Sequence, residues 1–340
     1  MTVSIIIPVF KVSDYVERCL LSVIKQDYSY IECIIVDDCS PDDSIVKSKR
    51  LIDGYVGPIR FKILHHKRNR GLSAARNTGT DAATGDYIFY LDSDDEITAD
   101  CISKLASPIL CNDTIELVQG NYKVHRIGGK QMIINPSTGP IRITTNEGVR
   151  ELYHNYHILH VVAWNKLMKL SFIKDNGICF KEGLIYEDSL WMFYLLKYLK
   201  NVYVLNDVTY NYYVRPCSIS TGTCHKEKGE AFSQIFKVIL DQLTEGKEVL
   251  ELNNNLQKFI DKFLSYKNDV PDYCSVMTLY RGKAKKYHCY YAYFTLCIVV
   301  FVGHFEFLQK VGYILNNILW NKENTHKKRS FNLFKNIIFE

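Results

Sequence analysis

Tyr87-Ile88-Phe89-Tyr90-Leu91-Asp92-Ser93-Asp94-Asp95 passes without a break from five apolar and aromatic residues into three carboxylates. The first five suit a strand buried on both faces, as in a parallel sheet covered by helices. The last four set like charges side by side at that strand's carboxyl end. A plain turn does not need three aspartates, and they repel one another unless a cation sits among them. A hard divalent ion, Mg2+ or Mn2+, removes the conflict. It takes one or two carboxylates and fills its shell with phosphate oxygens and water.

Toward the N-terminus the same grammar repeats. Ser4-Ile5-Ile6-Ile7-Pro8-Val9-Phe10 is a second continuous apolar run. Ile31 to Val36 reads as another buried strand, ending abruptly in Asp37-Asp38-Cys39-Ser40-Pro41, and Ile59 to Leu64 reads as a further strand. Helical patterns alternate with them. Asp14 and Glu17 read as a capping box, followed by Val16, Leu20, Val23 and Ile24 on one face. Leu72 to Ala83 reads as a helix of small residues starting at Ser73. This βαβα order predicts an α/β fold with a mostly parallel, Rossmann-like central sheet, flanking helices and right-handed crossovers. Such sheets bind ligands at the carboxyl ends of their strands, where two acidic loops lie here. Asp42 and Asp43 read as turn and cap residues.

Toward the C-terminus, Gly128-Gly129 reads as a hairpin turn. Ile158 to Lys169 is apolar and carries Trp164, read as a buried indole or a sugar platform. Asp188 stands at the start of a helix whose face is Leu190, Phe193, Tyr194 and Tyr198. By spacing alone it is a helix cap or a catalytic carboxylate. His157 and His160 read as core residues or acceptor contacts.

The chain has 340 residues, which predicts two domains or one large α/β domain with an appendix. With 47% hydrophobic and 23% charged residues it is no disordered, collagen-like or coiled-coil chain. Eleven cysteines stand singly, without a CxxC pair. This argues against a disulfide framework or structural zinc and fits a reducing cytoplasm. Met1-Thr2-Val3-Ser4 carries no signal-peptide pattern. The net charge of +5 is uneven. The last sixty residues hold ten of the 42 Lys and Arg and three of the 37 Asp and Glu, so they carry +7 and the rest −2. That pattern suggests an attachment segment and leaves no basic face for nucleic acid.

Taken together, these pieces resemble the inverting family 2 glycosyltransferases with the GT-A fold. The elements that carry the resemblance span residues 3 to about 220. They are Ser4 to Phe10, Cys19-Leu20-Leu21-Ser22-Val23, Ile35-Val36-Asp37-Asp38-Cys39-Ser40, Gly71-Leu72-Ser73-Ala74-Ala75-Arg76-Asn77, Gly85-Asp86-Tyr87-Ile88, Phe89 to Asp95, Trp164-Asn165-Lys166-Leu167 and Tyr186-Glu187-Asp188. The resemblance implies a nucleotide-sugar-binding half over 1–105 and an acceptor-binding half over 106–220. It also implies a nucleotide diphosphate sugar donor, most often a UDP-sugar, and a divalent cation on the Asp92-Ser93-Asp94 motif. Asp94 is the direct ligand, and Asp92 lies nearer the ribose or binds through water. Asp95 caps the next helix or joins the shell. Pro8, Val9 and Phe10 border the base, with Phe10 where the family often has Tyr. Asp38 accepts a hydrogen bond from the base, with Asp37 its neighbour. Arg76 lies close to the donor or pairs with the acidic loops. Asp188 is the general base, and Glu187 points elsewhere because adjacent helix-start residues do not share a face. Arg215, with Ser218 and Ser220, sits in a segment that closes over the diphosphate.

Residues 221–340 lie beyond the resemblance and read as a helical appendix. Arg281, Lys283, Lys285 and Lys286 precede the aromatic run Tyr287 to Gly303, and Lys327-Lys328-Arg329 precede another. Basic clusters beside aromatic helices suit attachment to an anionic membrane surface. A spanning segment or a packed core helix are the rivals. The sequence thus predicts an enzyme peripheral to the inner face of the cytoplasmic membrane. Its acceptor would be a glycan or polyprenyl-linked glycan, in surface polysaccharide synthesis. Two alternatives are an inactive scaffold of the same fold and a nucleotidyltransferase. Against the latter, the loop Phe10-Lys11-Val12-Ser13 has no glycine to cradle phosphate.

Overall fold

The computed structural model describes residues 1–134, 139–154, 158–215 and 225–242. The chain divides into two compact units, Met1–Thr223 and Cys224–Glu340. In the second, the described element is one helix, His225–Gln242. The aromatic run 287–303 and the basic clusters around it lie outside the described residues, as do His157, Ser218 and Ser220.

The first unit is built on β1 (Val3–Val9), α1 (Val16–Ile24), β2 (Ile31–Asp37), α2 (Ser44–Asp53), β3 (Arg60–His65), α3 (Leu72–Ala82) and β4 (Tyr87–Tyr90). There follow β5 (Glu96–Ile97), α4 (Cys101–Cys111), β6 (Leu117–His125), β7 (Gln131–Ile134), β8 (Ile141–Ile143) and α5 (Asn146–His154). The unit ends with β9 (Lys166–Lys169), α6 (Leu170–Asp175), α7 (Glu187–Tyr198) and β10 (Val202–Tyr213). One sheet runs β3-β2-β1-β4-β9-β6-β10-β5, with β7 on β6 and β8 on β10. β3, β2, β1 and β4 are parallel. β9 is antiparallel to both β4 and β6, so it splices the parallel half to a mixed second half.

All seven residues of β1 are buried, as its unbroken apolar run requires. Their side chains alternate between two cores. Ile5, Ile7 and Val9 join Leu20 and Val23 of α1 on one side. Ile6 joins Ala75 of α3 and Trp191 of α7 on the other. β3 closes the sheet with exposed Arg60 and Lys62, which suit an edge. Helix α3 lies so close to β1 that a Cβ on Gly79 would meet Ile6 Cγ2 at 2.3 Å. Gly79→Ala is therefore expected to destabilise the unit by about 1–3 kcal/mol through overpacking, read from denaturant unfolding.

The capping box expected at Asp14 and Glu17 does not form. Tyr15 occupies the N-cap without a side-chain cap. The Val12 carbonyl instead accepts from the Tyr15 and Val16 amides, and Glu17 pairs with Arg50. Asp42 behaves as a turn residue should, accepting from the Ser13 and Ser44 amides and from the Ser40 and Ser44 hydroxyls, while Asp43 holds the N-cap of α2 without a side-chain cap. The six described cysteines are all free.

Candidate active site

Four non-glycine residues among those described have positive φ: Lys11, Cys39, Asn165 and Tyr186. Lys11 and Cys39 lie just past β1 and β2, Asn165 opens β9, and Tyr186 opens α7. Backbone held in this region costs free energy and collects where geometry serves a site. Three of them, Lys11, Cys39 and Tyr186, stand one or two residues from the predicted site residues Phe10, Asp38 and Asp188.

The centre is Arg76, on the second turn of α3 and 1% exposed. Its Nη2 donates to Asp92 Oδ1 at 2.8 Å. Its Nη1 donates to Glu187 Oε1 at 2.7 Å and to Asp188 Oδ1 at 2.9 Å. The Phe180 ring lies 5.2 Å from the guanidinium. One buried cation thus ties the acidic loop after β4 to the start of α7. Helix α3 also fixes that second partner through Asn77, which exchanges two 2.9 Å bonds with the Phe180 backbone. Glu187 and Asp188 do share a partner, contrary to the expectation that Glu187 points away. The left-handed Tyr186 turns the chain at the first turn of α7, and the Arg76 fork reaches both.

Asp188 Oδ2 accepts from the Ala163 amide at 3.2 Å, and the side chain keeps 19% exposure. Burial pushes its pKa up, with Arg76 pulling it down. Burial and the Asp188 charge push Glu187 up to about 7, against the pull of Arg76. The folded protein therefore holds a proton on Glu187 that the unfolded chain releases above about pH 4.5. Stability from this group is full below that pH and is lost as pH rises toward about 7, with a slope of at most about 1.4 kcal/mol per pH unit. Glu187→Gln is expected to flatten that slope, read from denaturant midpoints between pH 4.5 and 8.

Asp94 pairs with Arg215 Nε, and its backbone carbonyl accepts from Arg18 Nη2 at 2.7 Å. Burial and Asp92 raise its pKa, while Arg215 opposes them. Asp95 is a strut and does not cap a helix. It accepts from the Tyr210 hydroxyl and the Tyr213 amide, both at 2.8 Å, and so fastens β10 to the acidic loop. Burial and its two acidic neighbours push its pKa well up.

Asp38 is buried, and its carboxylate accepts four bonds, from His66 Nδ1, Asn69 Nδ2 and the Arg70 and Gly71 amides, at 2.6–2.8 Å. This anchors the loop leading into α3. The expected contact with a base therefore requires one of these donors to leave. Asp37 accepts from the Ser40 amide and His65. Pro8 and Val9 are buried within β1, and only Phe10 of that trio presents its ring, 37% exposed. Trp164 is a core indole, stacked on Tyr210 and Tyr212 with Tyr122 at its edge. Burial lowers the His160 pKa to about 3.

Asp92, Glu187 and Asp188 thus gather on the Arg76 guanidinium, and Asp94 on that of Arg215. The excess negative charge suits a divalent cation. Among the described residues no three His, Cys, Asp or Glu side chains form a metal-binding group by themselves. Asp92 and Asp94 could supply two ligands, with the remainder from a bound diphosphate and water.

The profile of glycosyl transferase family 2 matches residues 4–175. The glycosyltransferase EpsJ of Bacillus subtilis is 28% identical over 64% of this chain and 62% of its own length. YibD of Escherichia coli is 30% identical over the same shares. The match thus spans less than two thirds of these curated relatives. Among solved structures, Staphylococcus aureus TarS 1–349 with UDP-GlcNAc superposes at a TM-score of 0.62, with 20% identity over 89% of this chain and 92% of that one. A mannosyltransferase from Pyrobaculum calidifontis with GDP-Man and Mn2+ superposes at 0.56, with 15% identity over 94% and 87%. These neighbours share the GT-A architecture. With a profile covering half the sequence, the chain belongs to glycosyl transferase family 2.

Proposed function

We propose that the protein transfers a sugar from a UDP-sugar to a hydroxyl of a glycan or lipid-linked glycan, with inversion and with a divalent metal. The observation that carries this reading is the Arg76 bridge, which sets Asp92 and Asp188 on one guanidinium. Carboxylates for a donor and for an acceptor then share one small site. The choice of UDP follows the TarS complex with UDP-GlcNAc, and the use of metal follows the Mn2+ complex.

In this reading Phe10 stacks on the base beyond β1. Asp92 and Asp94 would hold Mn2+ or Mg2+, which neutralises charge on the departing diphosphate. Arg215 moves from Asp94 to the diphosphate. Asp188 takes the proton from the attacking acceptor hydroxyl, and its exposed edge leaves lone pairs for that task. One displacement at the anomeric carbon inverts it without a covalent intermediate. Residues 1–105 serve the donor and 106–220 the acceptor. Residues 221–340 attach the enzyme to an anionic membrane surface. No described helix is long and apolar enough to cross a membrane.

A thermal-shift screen of nucleotide sugars tests the reading. A UDP-sugar is expected to raise the melting temperature in Mn2+ and much less in EDTA. No response to any nucleotide sugar would refute it.

A further inference from the structure

Lys166, the first residue of β9, is fully buried. Among the described residues its ammonium makes no ion pair, and its one hydrogen bond goes to the Val162 carbonyl at 2.5 Å. A buried ammonium spent on one carbonyl is a costly way to satisfy it, because desolvation exceeds what a neutral donor would lose. The carbonyl is informative. Val162 C=O and Ala163 N–H belong to one peptide group, and that N–H donates to Asp188 Oδ2 at 3.2 Å. A cation on the oxygen polarises the amide and strengthens its N–H as a donor.

We propose that Lys166 is a positioning residue for Asp188, acting through the Val162–Ala163 peptide. The geometry is held from several sides. Asn165, at φ 59°, turns the chain so that Lys166 folds back over the preceding turn. The Asn165 amide donates to the Gly120 and Asn121 carbonyls at 2.9 Å and accepts from Thr209 at 2.6 Å. Asn165 is thereby clamped to β6 and β10. Arg76 holds one Asp188 oxygen and the Lys166-backed amide holds the other, which fixes the carboxylate plane. Burial lowers the Lys166 pKa to about 7 while the Asp188 charge raises it, a sign that the two groups feel each other. Either protonation state keeps an N–H for Val162.

The inference rests on Asp188 being the base, and the test separates the two. UDP release from UDP-GlcNAc in Mn2+ gives kcat, and calorimetry gives the UDP Kd. Lys166→Met is expected to lower kcat about 10–50-fold with UDP Kd within twofold. Combined with Asp188→Asn it should add no further loss. The Ala163 amide proton, followed by NMR, should move upfield in Lys166→Met and in Asp188→Asn. Lys166→Gln, which keeps a neutral donor, should lie between and serves if the methionine variant does not fold. An additive double loss, or an unmoved Ala163 resonance in Lys166→Met, overturns the role of Lys166 alone. Undiminished UDP release in Asp188→Asn overturns the base assignment and this role with it.

Discussion

Asp188→Asn is expected to slow sugar transfer by about 10²–10⁴-fold while leaving UDP affinity within about twofold. The amide keeps the shape of the carboxylate, and its one oxygen can still accept from Arg76 while the bond from the Ala163 amide is lost, so the fold around α7 should persist. It cannot take a proton from an attacking hydroxyl. The neighbouring Glu187 does not substitute. It is almost fully buried, and its raised pKa leaves it substantially protonated near neutrality. Steady-state kinetics with the UDP-sugar found in the thermal-shift screen would measure the rate, and calorimetry the affinity. Transfer at the original rate would remove Asp188 as the base.

Arg76→Met should produce the largest loss of stability, about 3–5 kcal/mol at pH 8. The substitution roughly keeps the side chain's length and removes its charge. Three carboxylates, two of them deeply set, then face one another without a counterion. The same charges can shed their repulsion by taking up protons. The deficit should therefore shrink at pH 5, where Glu187 is protonated in the folded state. Denaturant unfolding at the two pH values measures both numbers. A pH-independent deficit would mean that Arg76 contributes packing against Phe180 and little charge compensation.

Much of this architecture is legible in the sequence because buried parallel strands must be continuously apolar. Ser4 to Val9, Ile31 to Val36 and Tyr87 to Tyr90 announce themselves this way. The acidic loops are legible because uncompensated aspartates are costly. That Arg76 pairs with them is one of the two readings the sequence offers, and the structure shows it bonded to Asp92; its reach to Glu187 is not legible. Arg76 is 111 residues from Glu187, and only the close docking of α3 on the Phe180 segment brings them together. The partners of Asp38 are equally hidden, because the loop that bonds its carboxylate starts 28 residues later and has no pattern of its own. Glu187 shares Arg76 with Asp188 although the rule for helix faces separates adjacent residues, because that rule assumes regular geometry. A left-handed residue at the N-cap breaks that assumption. Lys166 gives no local sign of its burial, since Lys169 closes the same four-residue strand and is only half-buried.

The central claim is that Asp92 and Asp94 hold a divalent ion together with the donor diphosphate. Calorimetric titration of UDP into the protein, with Mn2+ and with EDTA, tests it most directly. Mn2+ should tighten UDP binding at least about tenfold, or about 1.4 kcal/mol, in the wild type and not in Asp94→Ala. Equal UDP affinity with and without Mn2+ in the wild type would contradict it.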